Sequence, residues 1–315
     1  MRVLFTAAGS IGSRHIRNLT DICREREIPL EIDVIRKSDR VLPDDIKAMI
    51  RNEIKDKCEL ADHYDVAFIT DETKTHYENI RWLKDNCSHM FIEKPILDNV
   101  NYDISEIIPG PDSIYYVACP IRFSRYYEEL KKVVDSNEIY SARIIFSSYM
   151  PNWQKHRDYR KSFRCFRSRG GGVDIDSLHE IDYMTSLFGL PNKVTRVAGK
   201  YSNLEMDAPD LAAYIFHYED KVVEMHLDYF GRTNNRRVEF FSKDDVIVVD
   251  YNRHMVEHQC LGKIIDFGMD DQFYQQEMRY FLSLICADTE IININPVENA
   301  LNSLKIAKGY TITEV

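Results

Sequence analysis

Residues 3–19 read VLFTAAGSIGSRHIRNL, and this stretch decides how the first third of the chain must fold. The apolar run from Val3 to Ala7 is long enough for a short buried strand and stops at Gly9 and Gly12. From Ser13 to Cys23 the apolar residues Ile16, Leu19 and Ile22 recur at helical spacing. Strand, glycine turn and helix in that order make a niche for an anion. Gly9 lets the backbone approach it, Gly12 lets the helix pack closely on the strand, and the helix start offers free N–H groups at the positive end of its dipole. This is the G-x-G-x-x-G dinucleotide fingerprint with Ala7 in place of the first glycine. The same glycines suit a tight turn without a ligand; their place between a strand and a helix favours the nucleotide. Gly9, Ser10, Ile11 and Gly12 are therefore cofactor-binding candidates.

Working outward, strand-like runs at 30–35, 66–70 and 89–95 alternate with helical sequence from Asp44 and over 76–86. Strands alternating with helices predict βαβ units and a doubly wound parallel Rossmann sheet. After about residue 120 the rhythm changes. Runs at 141–149, 193–200, 212–218, 222–229, 237–242 and 246–251 read as strands, with helices at 125–134, 176–188, 271–286 and 296–308. This predicts an α+β domain with a mainly antiparallel open sheet. The expected domains are 1–120 and 121–315, the last helix packing back on the first domain.

A chain of 315 residues exceeds what one core normally supports, and 44% apolar with 29% charged residues is a globular composition. The net charge of -10 argues against a nucleic-acid or anionic-membrane surface as a global property. Seven scattered cysteines without CxxC spacing read as reduced thiols, no run reaches the ~18 apolar residues of a membrane helix, and no signal peptide is evident. A cytoplasmic protein is expected.

At the end of the second strand an acid would take the ribose hydroxyl of NAD, and a base the 2′-phosphate of NADP. The sequence there is EIDVIRKSDR, which puts Arg36, Lys37 and Ser38 at the position and Asp33 inside the strand. NADP(H) is favoured over NAD(H); an ordinary solvated strand end would look the same. Downstream, FIEKP at 91–95 places Lys94 at the C-terminal end of a strand, where doubly wound sheets bind ligands. Pro95 biases Lys94 to an extended backbone. A lysine there can stabilise a developing oxyanion or hold the nicotinamide side of the cofactor.

These segments together resemble the Gfo/Idh/MocA oxidoreductase family, named for glucose-fructose oxidoreductase and inositol dehydrogenase. The resemblance rests on AGSIGSRHIRNL, on FITDETKTHYENI leading to FIEKP, on IRF at 121–123 and on GGGVDIDSLHEIDYMTSLFG from Gly170, in order over about the first 190 residues. It implies a Rossmann domain, then an α/β domain whose open sheet often mediates oligomer contacts, so a homo-oligomer is expected. It also implies NAD(P)-dependent chemistry on a hydroxyl or carbonyl of a sugar, polyol or sugar nucleotide, with cell-surface sugar synthesis as one setting. Lys94 matches the EKP lysine, preceded by Glu93 among the cofactor residues, and Asp176 and His179 match the acid and histidine after the triple glycine. Thr70 and His76 fall where such chains line the cofactor. Ala7 and Glu72 depart from the family pattern, and bear on cofactor affinity more than on chemistry.

A helix from about Asp174 to before Gly189 would put Leu178, Ile181, Thr185 and Phe188 on a packing face. Asp176, His179, Glu180 and Tyr183 would share a face open to a cleft. On the family pattern His179 is the general acid/base, Asp176 orients it or accepts from substrate, and Lys94 stabilises the alkoxide. HEID lacks the second histidine of HExxH, so no metal site is expected. MPNWQKHRDYRKSFRCFRSR, residues 150–169, interleaves aromatic and basic residues and suggests a pocket for an anionic group, or else a solvated loop. Trp153 and Tyr159 would stack on a sugar, Arg157, Arg160 and Lys161 would hold charge, and Arg122 and Tyr183 complete the substrate candidates. The leading reading is an oxidoreductase acting on a small sugar-like substrate. The alternatives are an NADP-dependent reductase of a non-sugar carbonyl and a non-catalytic, dinucleotide-binding redox sensor.

Overall fold

The computed structural model describes residues 1–36, 39–153, 158–269, 272–286 and 291–310. Two compact units divide the chain, Met1–Pro120 with Gln272–Leu301, and Ile121–Asp271 with Asn302–Val315.

In the first unit, strands β1 (Arg2–Phe5), β2 (Glu31–Ile35), β3 (Asn52–Ile54), β4 (Tyr64–Ile69), β5 (Cys87–Ile92) and β6 (Tyr115–Val117) form a parallel sheet in the order β3-β2-β1-β4-β5-β6. Helices α1 (Ser10–Glu25), α2 (Asp44–Met49) and α3 (His76–Leu83) connect them. The order reverses beside β1, so the carboxyl ends of β1 and β4 flank the switch point where such sheets bind ligands. Parallel strands are covered on both faces, which is why their sequences are continuous apolar runs. Phe5 stacks on Phe68 at 4.4 Å, Phe68 on Phe91 at 5.0 Å, and Phe281 meets Phe91 edge-on at 5.2 Å. Phe281 belongs to a helix that spans Phe273–Cys286. Strands β3 and β6 were not anticipated, because three residues are too few to show a period.

In the second unit, β7 (Ile139–Tyr149), β8 (Lys193–Gly199), β9 (Leu211–His217), β10 (Val222–Asp228), β11 (Phe230–Ser242), β12 (Val246–Asp250), β13 (Met255–His258) and β14 (Lys263–Asp266) form one sheet, ordered β14-β13-β12-β11-β7-β10-β9-β8. Every pairing is antiparallel except β10 with β7. Alternation along β10 buries Val223, Met225 and Leu227 and turns Val222 and Glu224 outward, the signature of a sheet covered on one face. Strand β11 begins seven residues earlier than its apolar pattern predicts: the polar GRTNNRR stretch carries no alternation, and its register shifts between Phe230 and Asn235. Helix α4 (Arg125–Ser136) starts with Ser124 accepting from the amide of Tyr127, and buries Tyr126, Leu130 and Val133. No helix among the described residues is long and apolar enough to cross a membrane.

Candidate functional site

The first unit builds its candidate dinucleotide niche from the glycine turn upward. The first turn of α1 has no side-chain cap and no acidic residue, so its amides and dipole end are offered to an anion. A Cβ on Gly9 would meet nothing within 4 Å, leaving backbone open to a ligand, whereas a Cβ on Gly12 would lie 2.2 Å from the carbonyl oxygen of Ala7. Thr70 at the end of β4 closes the same turn, its hydroxyl donating to that carbonyl at 2.7 Å. These residues fit a dinucleotide pyrophosphate. Gly12→Ala is therefore expected to destabilise the protein by about 1–3 kcal/mol and weaken dinucleotide binding, read by chemical denaturation and by nucleotide fluorescence titration.

The β4–α3 loop is braced from within. Asp71 accepts from Thr6 at 2.9 Å, from Asn79 at 2.6 Å and from Thr75 at 2.5 Å. His76, expected along the cofactor, is 1% exposed, and its ring nitrogens face the carbonyls of Ile96 (3.2 Å) and Asp71 (3.3 Å). The structure thus gives His76 the work of tying this loop to the segment after β5.

Lys94 follows the carboxyl end of β5, half-buried, and the Lys94–Pro95 bond is cis, which the extended backbone predicted from Pro95 did not anticipate. Glu93 is 8% exposed and is met at 2.5 Å by His15 of α1. Burial pushes the Glu93 carboxyl upward, yet the His15 hydrogen bond and the nearby Lys94 and His76 charges hold it below the ordinary carboxylate range.

Inside β2, Asp33 is buried and accepts from Tyr64 at 2.9 Å and Asn52 at 2.8 Å, so it serves the sheet. Arg36 lies 3.1 Å from Glu53 and donates to the carbonyl of Arg40. Lys37 and Ser38 lie outside the described residues, as does Arg157.

The second unit assembles its candidates around the triple glycine. Gly170 (φ 73°) and Gly172 (φ 126°) take left-handed backbone that side chains disfavour, and a Cβ on Gly171 would lie 2.5 Å from the carbonyl oxygens of Phe163 and Arg164. The glycines thus let the basic-aromatic segment lie against the chain that follows. The single helix expected from Asp174 is two pieces, α5 (Val173–Asp176) and α6 (Leu178–Phe188), broken at Ser177. The predicted stop at Gly189 holds, its amide donating to the Thr185 carbonyl.

Asp176, half-buried at the break, accepts through Oδ2 from Arg164 Nε at 2.7 Å and from the Tyr229 hydroxyl at 3.1 Å. Arg164 in turn lies over the rings of Phe163 (4.8 Å) and Trp153 (5.7 Å), and Trp153 meets Tyr229 edge-on at 5.3 Å. Trp153 is 37% exposed and donates to Ser148 at 2.6 Å. His179 sits half-buried in the first turn of α6.

Two residues placed with His179 on a cleft face turn inward instead. Glu180 is 0% exposed and pairs with Arg236 of β11 at 2.8 Å, and Tyr183 is equally buried, edge-on to Tyr126 at 6.1 Å. Helix α6 is buried nearly all round its first two turns, Leu178 and Ile181 included, and the cation of Arg236 compensates an acid that the pattern placed on a cleft. Arg122, a substrate candidate, forks onto Asp182 with Nη2–Oδ1 at 2.7 Å and Nε–Oδ2 at 2.9 Å, both side chains nearly buried. Tyr159 accepts from the amide of Glu205 and Arg160 pairs with Asp158 at 2.9 Å, both on the outer turn of the basic segment. Sequence reasoning missed Arg164, Tyr229 and His15. Arg164 was visible only as one cation among several in the basic segment, and Tyr229 and His15 carried no signal of their own.

A Rossmann unit with a dinucleotide turn, continued by an open eight-stranded sheet, is the fold that the resemblance to the Gfo/Idh/MocA oxidoreductases implies. Solved structures share it along nearly the whole chain. An oxidoreductase from Thermotoga maritima superposes with a TM-score of 0.79 at 18% identity, covering 98% of this chain and 95% of that one. The UDP-N-acetylglucosamine 3-dehydrogenase GnnA of Acidithiobacillus ferrooxidans gives 0.73 at 16% identity, covering 99% and 96%. An oxidoreductase from Agrobacterium radiobacter, solved with NAD+, L-tartaric acid and magnesium, gives 0.77 at 13%, covering 98% and 95%. Identities this low establish the fold. No protein-family model matches the chain, and no curated protein matches it.

Proposed function

We propose that the protein is a nicotinamide-dinucleotide-dependent oxidoreductase that interconverts a hydroxyl and a carbonyl on a sugar, polyol or sugar nucleotide, with NADP(H) favoured. The observation that carries this reading is the turn at Gly9 and Gly12, where uncapped helix amides and an open backbone face stand at the switch point of a parallel sheet. The nicotinamide, when bound, supplies or accepts the hydride. His179 takes the hydroxyl proton on its imidazole, and the Lys94 ammonium stabilises the alkoxide that forms. Asp176, paired with Arg164, accepts from a substrate hydroxyl. Trp153 and Tyr159 offer rings to a sugar face, and Arg160 offers a cation to an anionic group. The sugar-nucleotide dehydrogenase among the structures of this fold supports that substrate class.

NADP(H) is favoured because Asp33 is spent inside the sheet and Arg36 is the charge at the end of β2. A 2′-phosphate would compete with Glu53 for its guanidinium. Fluorescence titration should show NADPH binding more tightly than NADH, and Arg36→Ala should loosen NADPH by about 10- to 100-fold, a charge-assisted contact of about 1.5–3 kcal/mol, while sparing NADH. Tighter NADH binding that ignores Arg36→Ala would reject the preference. Nicotinamide absorbance across a panel of sugars, polyols and sugar nucleotides tests the activity itself, and a panel without turnover would reject it.

A further inference from the structure

The proposed chemistry gives Arg164 no task beyond its bond to Asp176, yet the side chain is held as if for a ligand. Its guanidinium lies over the rings of Phe163 at 4.8 Å and Trp153 at 5.7 Å, and its Nε donates to Asp176 Oδ2 at 2.7 Å. The same oxygen accepts from Tyr229, whose ring meets Trp153, so ring contacts and hydrogen bonds together fix the plane of the cation. Burial works against its charge and Asp176 restores it. A guanidinium has five N–H donors, and Nε uses one. No acceptor meets Nη1 or Nη2 among the described residues, and 28% of the side chain stays open to solvent. The edge between those two nitrogens is the fork that takes both oxygens of a carboxylate or two of a phosphate.

Arg160, by contrast, spends its fork at the surface on Asp158 and reaches Glu205 at 3.4 Å, so its charge acts only at a distance. From 158 to 169 the cations Arg160, Lys161, Arg164, Arg167 and Arg169 stand against a single acid, Asp158, in a chain whose net charge is -10. An anion is drawn in by the segment as a whole and docks on the fork that is held in place.

We propose that Arg164 is a specificity-determining residue of this site, taking an oxyanion, carboxylate or phosphate, that the substrate carries on the same sugar residue whose hydroxyl Asp176 accepts. An oxyanion on Nη1 and Nη2 is one hydrogen bond of about 2.8 Å from the guanidinium that meets Asp176 at 2.7 Å, a span that one sugar ring with its substituents covers. The substrate class narrows from sugars at large to acidic sugars, uronates or sugar phosphates. That the ligand is a sugar rests on the function proposed above; the fork for an oxyanion does not.

Binding is read without cofactor by the emission of Trp153, 5.7 Å from the guanidinium, in a Trp82→Phe background. D-glucuronate should bind more tightly than D-glucose, and UDP-glucuronate more tightly than UDP-glucose, by about tenfold or more in at least one pair, the difference that one charge-assisted fork makes. D-glucose 6-phosphate in the same titration tells a site for phosphate from one for carboxylate, its preference over D-glucose counting as a third pair. Arg164→Gln should bring the members of each pair to one affinity, and Arg164→Lys should keep part of the difference, because it keeps a charge without the fork. A purely structural Arg164 would lower both affinities together and leave their ratio. Equal affinities in every wild-type pair, or a preference that survives Arg164→Gln, would overturn the proposal. Should Arg164→Gln not fold, phenylglyoxal labelling of the wild-type protein decides by mass spectrometry: the acidic sugar must shield the Arg164 peptide where the neutral one does not, and equal labelling would overturn the proposal. An acid preference lost in Arg164→Gln, in a protein that never changes nicotinamide absorbance, would reject the oxidoreductase reading alone. Turnover of neutral and acidic sugars at equal kcat/KM would reject the acidic-sugar inference alone.

Discussion

Replacing Lys94 with alanine is expected to lower kcat by about 100- to 1,000-fold, the usual loss when one group that stabilises a developing oxyanion is removed. His179→Ala should lower it by about 100- to 10,000-fold, the range for a positioned acid/base. Lys94 lies beyond the end of β5, and His179 is a half-buried residue at the start of α6, so neither change interrupts a strand of its sheet. Fold and NAD(P)H affinity should therefore survive both changes, and this separates a catalyst from a redox sensor. In a sensor the same variants would alter nucleotide binding or partner choice, with no substrate ever changing nicotinamide absorbance. Stopped-flow turnover beside equilibrium nucleotide titration on the same preparations distinguishes the two.

Removing the cation of Arg236 should be the most damaging single change to the second unit. Its guanidinium lies over Phe146 (4.9 Å) and Tyr251 (5.3 Å) and pairs with Glu180, whose side chain is 0% exposed. Burial works against the Arg236 charge, and Glu180 restores it. Arg236→Met would leave a carboxylate in the core without its counter-ion, a loss of about 3–5 kcal/mol. Converting Glu180 to methionine as well should recover most of that loss, because a well-packed apolar pair of similar volume is often no worse than a buried ion pair. Trp153 belongs to this unit and Trp82 to the other, so urea unfolding followed by Trp153 fluorescence in a Trp82→Phe background reports the affected unit. A loss near zero for Arg236→Met would show that Glu180 finds water or a proton instead.

How much of this was legible in advance follows from the range of the forces involved. The β1 strand, the glycine turn and α1 were readable because apolar period, glycine freedom and helix-end chemistry are all local to a dozen residues. The stop at Gly189 was readable for the same reason. The short strands β3, β6, β13 and β14 were not, since three or four residues show no period and are held by pairing with neighbours. The acids after the triple glycine mark the limit most clearly. Sequence alone singled out Asp176 and His179 through a motif, and placed Glu180 with them on a face open to a cleft.

By itself, then, the sequence determined the Rossmann half, the place of the dinucleotide turn and the class of groups around it. Only the tertiary structure decided which charges are spent on the fold. It joined Arg164 to Asp176, Arg236 to Glu180, Arg122 to Asp182 and His15 to Glu93. A polar pattern is read as solvent-facing because desolvating an isolated charge is costly. A partner 12, 56, 60 or 78 residues away along the chain removes that cost and leaves no local trace in the sequence.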